Sequence, residues 1–402
     1  MSVSTWGNGV RALAARSGGG SVFFEQRTDV VLTAGRDRPR AVSIMPSRGA
    51  ALGDALSSIH VTDPLLDAFS EPIRAEAAAV EEAQRQEGLF EAAIAGHEDL
   101  DWTLRVVAFH QNIWVSDPDG NLSSDTRRGC RAELKLGLGS RSHTVDWVAS
   151  PEGKLASAIE RLIAGPRRRL SPGTTCAVFD AGIAGLIAHE LVGHALEGDV
   201  LQRRRTWIQG GLPKTCRPFR VEDDPRRGRA AWKTDDEGVS SRSVLLTDDD
   251  RVAGYLLDRT SAAARSAAST GHGRRSSFRD PVRPRMGCTF VHAGDDDPAA
   301  ILSETSGGVF VRRMIAGHTD AVRGVASFIV TDADLIEAGR CTTPLEPFVM
   351  EVRGRDVWSS LDRIGTDLVF DACVGSCVRD GQPLAVSVGA PTIRLGVITV
   401  NC

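Results

Sequence analysis

Two histidines five residues apart limit this chain more than any other feature. His189 and His194 stand in Ala188-His189-Glu190-Leu191-Val192-Gly193-His194-Ala195-Leu196-Glu197-Gly198-Asp199. The common zinc-protease pattern spaces its histidines four apart, which stacks them on one helix face. Five apart, they lie about 140° round the axis of an ideal helix, too far for one ion to touch both. A wider turn with i to i+5 bonding would return them to one face, and such turns favour functional sites. Gly193 is the residue most tolerant of that distortion or of an early helix end. The spacing therefore predicts a helix through Leu186 to Val192, strained or terminated near Gly193.

Two imidazoles beside a carboxylate are what a hydrolytic zinc site needs: two neutral nitrogen ligands and a base, Glu190, outside the ligand set. The chemistry expected is metal-assisted amide hydrolysis, with Glu190 taking a proton from the attacking water and returning it to the leaving amine. Such a site takes a third protein ligand. The other seven histidines are scattered singly, and eight cysteines remain: Cys130, Cys176, Cys216, Cys288, Cys341, Cys373, Cys377 and Cys402. Spacing alone does not choose among them, although Cys373 and Cys377 share a glycine-bearing stretch from Asp371 to Gln382 where a loop could present a thiolate.

The residues around this core resemble the TldD/PmbA family of zinc metallopeptidases, also called modulators of DNA gyrase, whose signature is HExxxH, a small residue and LEGD. The likeness continues through Asp235-Asp236-Glu237-Gly238, Gly254-Tyr255-Leu256-Leu257-Asp258, Gly271-His272-Gly273-Arg274-Arg275 and Pro284-Arg285-Met286. It extends to Leu335-Ile336-Glu337-Ala338-Gly339 with Pro344, to Gly365-Thr366-Asp367-Leu368 and to Cys377-Val378-Arg379-Asp380-Gly381-Gln382. Roughly Cys176 to Leu395 is covered, in the order of the TldD-like active subunit, not its metal-free companion. The resemblance implies Cys377 as the third ligand, giving His189, His194 and Cys377 around Zn2+, with Cys373 as the rival. It also implies a two-fold dimer, with a second copy or with a PmbA/TldE-like subunit, and a peptide or peptide-like substrate.

Each residue also has a plainer reading. Cys377 could be a buried, inert thiol, and Glu197 and Asp199 could merely end a helix or could orient a ligand imidazole. Gly271, His272, Gly273, Arg274 and Arg275 form either a flexible basic loop or a substrate contact. His318, in Ala316-Gly317-His318-Thr319-Asp320, is either a specificity element or neutral variation. An oxyanion stabiliser is required, and Arg274, Arg275, His272 and His318 are the candidates.

A net charge of −4 over 402 residues gives no electrostatic case for nucleic-acid binding. No apolar run reaches membrane-spanning length, and the start lacks the apolar core of a secretion signal. Cytoplasmic residence with reduced thiols is therefore expected. Length points to two domains, 1–165 and 174–402, parted by the composition shift over Gly165 to Gly173. In the first, helices are expected at Gly9 to Arg16, within Pro64 to Ala95 and at Lys154 to Ile163. Strands are expected at Ser21 to Thr33, Ala41 to Met45, Trp102 to Val115 and Arg131 to Leu138. Met45 to Ile59 passes quickly into a loop, so this half reads as shortened relative to the family. In the second half, strands are expected at Thr175 to Phe179, Ser243 to Thr247, Val252 to Leu257, Val309 to Met314, Ala326 to Val330 and Ile393 to Val400. Helices are expected at Thr260 to Ala268 and Pro298 to Glu304. Antiparallel strands with segregated helices make the fold class α+β. Three functions fit: a zinc peptidase acting on short or unfolded peptides, a pathway-dedicated amide hydrolase trimming a small peptide-like metabolite, and a non-catalytic companion subunit.

Overall fold

The computed structural model describes residues 21–52 and 74–401, apart from 98, 118, 140, 149–152, 216 and 372–374. The helix expected at Gly9 to Arg16 and the rival ligand Cys373 lie outside the described residues.

The first half carries five antiparallel strands among its described residues: β1 (Val22–Gly35), β2 (Arg38–Leu52), β3 (Asp101–Ser116), β4 (Leu122–Leu138) and β5 (Arg141–Trp147), in the spatial order β2-β1-β3-β4-β5. Val30, Leu32 and Ala34 alternate inward along β1, as a half-buried strand requires. They meet the helices Arg74–Ile94 and Lys154–Ile163, whose Ala79, Ala83, Phe90, Leu155, Ala158 and Leu162 fill the same core. β2 is longer than its sequence indicates, running on to Leu52 opposite Val22. Its Gly49-Ala50-Ala51 stretch has little strand propensity. Small side chains are needed there because a Cβ on Gly49 would lie 2.2 Å from the ring of Phe278.

The second half is built around a closed ring of pairings. The strand Gly307–Asp320 pairs with β6 (Gly173–Phe179), β6 with Ile393–Asn401, that strand with Phe348–Arg353, and Phe348–Arg353 with Val325–Glu337, which returns to Gly307–Asp320. A second sheet contains Arg220–Asp223, Val244–Asp248, Cys288–Val291 and Gln382–Ala390, with Gly375–Arg379 hairpinned onto Gln382–Ala390. The histidine-bearing segment packs against both sheets. Its Leu191, Val192 and Leu196 are fully buried in one cluster with Phe328 and Met350 from the ring and Val221 and Val291 from the second sheet.

Two expectations need correction. Of Val252 to Leu257, only Val252 belongs to a strand, Arg251–Val252, because Ala253 N turns back to donate to Leu246 O. The helix expected to reach Ala268 ends as Arg259–Ala263, with Ser266 already at φ 50°.

The two halves meet across paired charges. Arg127 of β4, 1% exposed, donates to Asp236 Oδ1 and to Thr234 O, each at 2.6 Å. Glu25 of β1 accepts from Phe278 N at 2.8 Å, Arg161 pairs with Asp332 and Asp334, and Arg313 pairs with Asp146.

Candidate metal centre

The segment that carries the histidines changes helix type twice. An α-turn, Gly185–Ala188, becomes a π-helix over His189–Gly193 and then a 3-10 turn over His194–Leu196. The π-turn brings the two imidazoles together, with ring centroids 5.1 Å apart. Each change of pitch releases backbone carbonyls from their helical partners. Trp207 Nε1 donates to Leu191 O at 3.0 Å and Thr206 Oγ1 to Ala195 O at 3.1 Å. Gly193, however, has φ −55° and ψ −58°, ordinary helical values open to any residue. Its lack of a side chain serves close packing, because a Cβ there would lie 1.8 Å from Met286 Sδ.

Cys377 arrives from 183 residues away on the strand Gly375–Arg379. Its Sγ lies 3.4 Å from His194 Nε2, and the ligand atoms of His189, His194 and Cys377 all fall within 4.8 Å of one another. Arg285, 1% exposed, fixes this hairpin by donating to Cys377 O at 2.7 Å and to Gln382 O at 3.0 Å. Pro284-Arg285-Met286 thus serves both halves of the centre, since Met286 abuts Gly193 and Arg285 holds the cysteine's backbone.

Burial would raise the Cys377 thiol, yet the His194 charge and hydrogen bonds with both imidazoles pull it well below its ordinary value. Burial would likewise lower His194, but the Cys377 and Glu197 charges hold it well above. Each group thus favours the charged form of the other, with the proton drawn toward the ring and away from the sulfur. A cation bound by both groups would take that proton's place, the usual exchange on binding a metal. One thiolate and two imidazoles suit the borderline softness of zinc.

Around this trio stands a shell of carboxylates. His194 Nδ1 lies 3.1 Å from Glu197 Oε2, which also accepts from Arg379 Nη1 at 2.7 Å. Arg379 Nη2 donates to Asp199 Oδ2 at 2.5 Å. Glu197 thereby orients the His194 ring through Nδ1, the part played by a carboxylate behind a ligand imidazole, while Asp199 anchors the arginine. Glu190 Oε2 lies 3.8 Å from His194 Nε2 and accepts from Thr319 Oγ1 at 2.7 Å. A cavity of about 520 Å³ opens here, lined by Glu190, His194, Glu197, His318, Thr319, Cys377 and Arg379 among others.

Of the residues singled out in the sequence, His189, Glu190, His194, Cys377 and His318 come together. The Gly271 to Arg275 stretch does not join them; it is buried within the second half, and Arg275 reaches across to Phe23. Both ring nitrogens of His272 are occupied, by Asp223 Oδ1 at 3.2 Å and by Thr270 Oγ1 at 2.9 Å. Arg274 lies over the Trp232 ring at 4.2 Å and on Asp236, with burial bringing it down to about 10. Arg275 lies over Phe23 at 4.6 Å. Gly271 and Gly273 admit neighbouring chain, since a Cβ would meet Ser240 O at 2.5 Å and Glu237 Oε2 at 2.6 Å respectively. Gly273 therefore reads as a packing residue, and Gly271, at φ 72°, meets a conformational need as well.

Thr319 and Arg379 were given no role by sequence. Arg379 had a usable signal, because positions two apart on a strand share a face. Thr319 had none.

The region from 172 to 402 matches the PmbA/TldA metallopeptidase C-terminal domain model. The chain belongs to the PmbA/TldD metallopeptidase family. It is similar to the metalloprotease TldD homologue of Haemophilus influenzae, at 30% identity over 317 residues, 73% of this chain and 66% of that protein. The homologue of Buchnera aphidicola from Schizaphis graminum is 26% identical over 318 residues, with the same coverage. A zinc metalloprotease TldD homologue of Saccharolobus solfataricus is 25% identical over 224 residues, 54% of this chain and 49% of that protein. In these alignments the chain spans two thirds or less of its curated relatives. The fold is shared with the crystal structure of TldE from Thermococcus kodakarensis, which covers 98% of this chain and 100% of its own at TM-score 0.73 and 13% identity.

Proposed function

We propose that this chain is a zinc-dependent peptidase that hydrolyses amide bonds in short or unfolded peptides, with His189, His194 and Cys377 holding the metal and Glu190 as general base. The observation that carries this reading is the convergence of the three ligand atoms within 4.8 Å, beside a carboxylate that lines a cavity. Zinc, when bound, polarises the amide carbonyl as a Lewis acid and acidifies the attacking water. Glu190 accepts that water's proton and delivers it to the leaving nitrogen. Glu197 holds His194 Nδ1, which leaves Nε2 toward Cys377 Sγ and free to bind a metal, and Arg379 keeps Glu197 in place. A structural zinc site has no use for a carboxylate placed like Glu190 and closes its fourth position with another ligand, which disfavours the companion-subunit reading.

The division into 1–165 and 174–402 is part of the same proposal, supported by separate apolar cores on either side of 165–173. So are cytoplasmic residence and a dimer with a second copy or a TldE-like subunit. No helix among the described residues is long and apolar enough to cross a membrane.

The decisive experiment combines metal analysis of the purified protein with cleavage of a mixed peptide library, with and without a chelator. Stoichiometric zinc and chelator-sensitive cleavage are expected, and Glu190→Gln should keep the metal and lose cleavage. Chelator-resistant turnover, or unchanged activity in Glu190→Gln, overturns the proposal.

A further inference from the structure

One irregularity in the strand Gly307–Asp320 decides which side chain meets Glu190. Met314 pairs with Val330, Ile315 with Ile329 and Ala316 with Phe328. Val330 and Phe328 are buried, and Met314, itself buried, and Ala316, which lines the cavity, lie opposite them on that same face. Regular alternation would next turn His318 inward, opposite the buried Ala326. Instead Thr319 pairs with Ala326, three steps on one strand against two on its neighbour. That is a β-bulge, and its extra residue exchanges the faces of everything after it.

The sequence supports the bulge locally. His318 N donates to Ser327 Oγ at 2.9 Å, and Gly317 sits where a Cβ would lie 2.9 Å from that same oxygen. The result is that Thr319 turns toward the π-helix and donates its hydroxyl to Glu190 Oε2 at 2.7 Å. The same carboxylate oxygen is 3.8 Å from His194 Nε2, close enough for a small rotation to carry it among the metal-binding atoms. A carboxylate that swung in would fill the position that a hydrolytic centre leaves for water.

We propose that Thr319 is the positioning residue for Glu190: its hydroxyl holds the carboxylate beside the metal-binding trio and out of it, and the bulge at Gly317 and His318 turns the hydroxyl there. The catalytic consequence rests on the peptidase reading above; the structural one does not.

The test compares zinc-loaded wild-type protein with Thr319→Val, which keeps the branched shape but loses the hydroxyl, and Thr319→Ser, which restores the hydroxyl. A misaligned base costs on the order of 10- to 100-fold in turnover. Thr319→Val is therefore expected to lower kcat by about that factor, with KM and zinc content unchanged, and Thr319→Ser to recover most of it. Urea unfolding of Thr319→Val in wild-type and Glu190→Ala backgrounds gives a readout free of catalysis. The valine should lower the midpoint only where Glu190 is present. Wild-type kcat in Thr319→Val, or an equal midpoint shift in both backgrounds, overturns the proposal. If the wild-type protein cleaves no peptide, the peptidase reading falls and the unfolding cycle alone decides the role of Thr319 by the same criterion.

Discussion

Replacing Gly193 by alanine probes the contact on which the π-turn rests. The added methyl would sit 1.8 Å from Met286 Sδ and 3.1 Å from that residue's Cγ and Cε. Met286 is 1% exposed, so its thioether has little free space to retreat into. Overpacking of this kind costs about 1–3 kcal/mol. Alanine returns roughly 0.5–1 kcal/mol over glycine inside a helix, which leaves a net loss of roughly 1 kcal/mol and at most about 2.5. Urea unfolding of Gly193→Ala, Met286→Ala and the double variant measures it. Met286→Ala alone should cost about 2–5 kcal/mol as a buried truncation. In that background Gly193→Ala should become neutral or stabilising, because the clash is gone and the helix preference remains. Zinc affinity, measured by chelator competition, should fall in Gly193→Ala and recover in part in the double variant. An equal cost of Gly193→Ala in both backgrounds would refute the packing account and return the glycine to a conformational role.

Three further outcomes are expected. Glu197→Gln removes the charge shared by His194 and Arg379, and should weaken zinc binding by about 10- to 100-fold in a chelator competition. His143 is pushed down to about 4, first by burial and, against the upward pull of Asp332, by Arg167, Arg161 and Arg313. Its folded value lies below its unfolded one, so the related stability is complete above about 6.5 and is lost as pH falls toward 4, on the order of 3 kcal/mol. His143→Gln should flatten that part of a stability-against-pH curve, and an unchanged slope would exclude His143 as its source. Arg127→Ala strips one partner from the buried Asp236 and should cost about 3 kcal/mol or more in urea unfolding; a loss under about 1 kcal/mol would show that Arg274 compensates.

Much of the fold was legible because periodicity survives in single segments. Lys154–Ile163 and Ile393–Asn401 fall almost where their patterns place them. The convergence of His189, His194 and Cys377 was legible because histidine spacing and a resemblance both speak through residue type. Other features depend on partners distant in the chain. Phe348–Arg353 and Gln382–Ala390 were not read as strands, since each is defined by the neighbours it joins. The continuation of β2 through Gly49 to Leu52 runs against propensity and follows from β1 and Phe278. Gly193 was correctly singled out for the wrong physical reason: its conformation is ordinary, and Met286, 93 positions later, supplies the constraint. Gly271 to Arg275 suggested a mobile contact loop, but its glycines and arginines are spent on Asp236, Trp232 and neighbouring backbone. Thr319 was hidden because no sequence pattern announces a bulge that reverses strand faces.

The charged contact between the halves has a consequence for how freely they can be recombined. Glu25, Arg127, Asp236 and Arg274 are all withdrawn from water, and each depends on a partner supplied from elsewhere in the fold. An apolar joint tolerates a substitute surface of similar shape, whereas this one demands matching ions at matching places. A hybrid carrying the first half of one relative on the second half of another should assemble only when these acids and arginines are transplanted together.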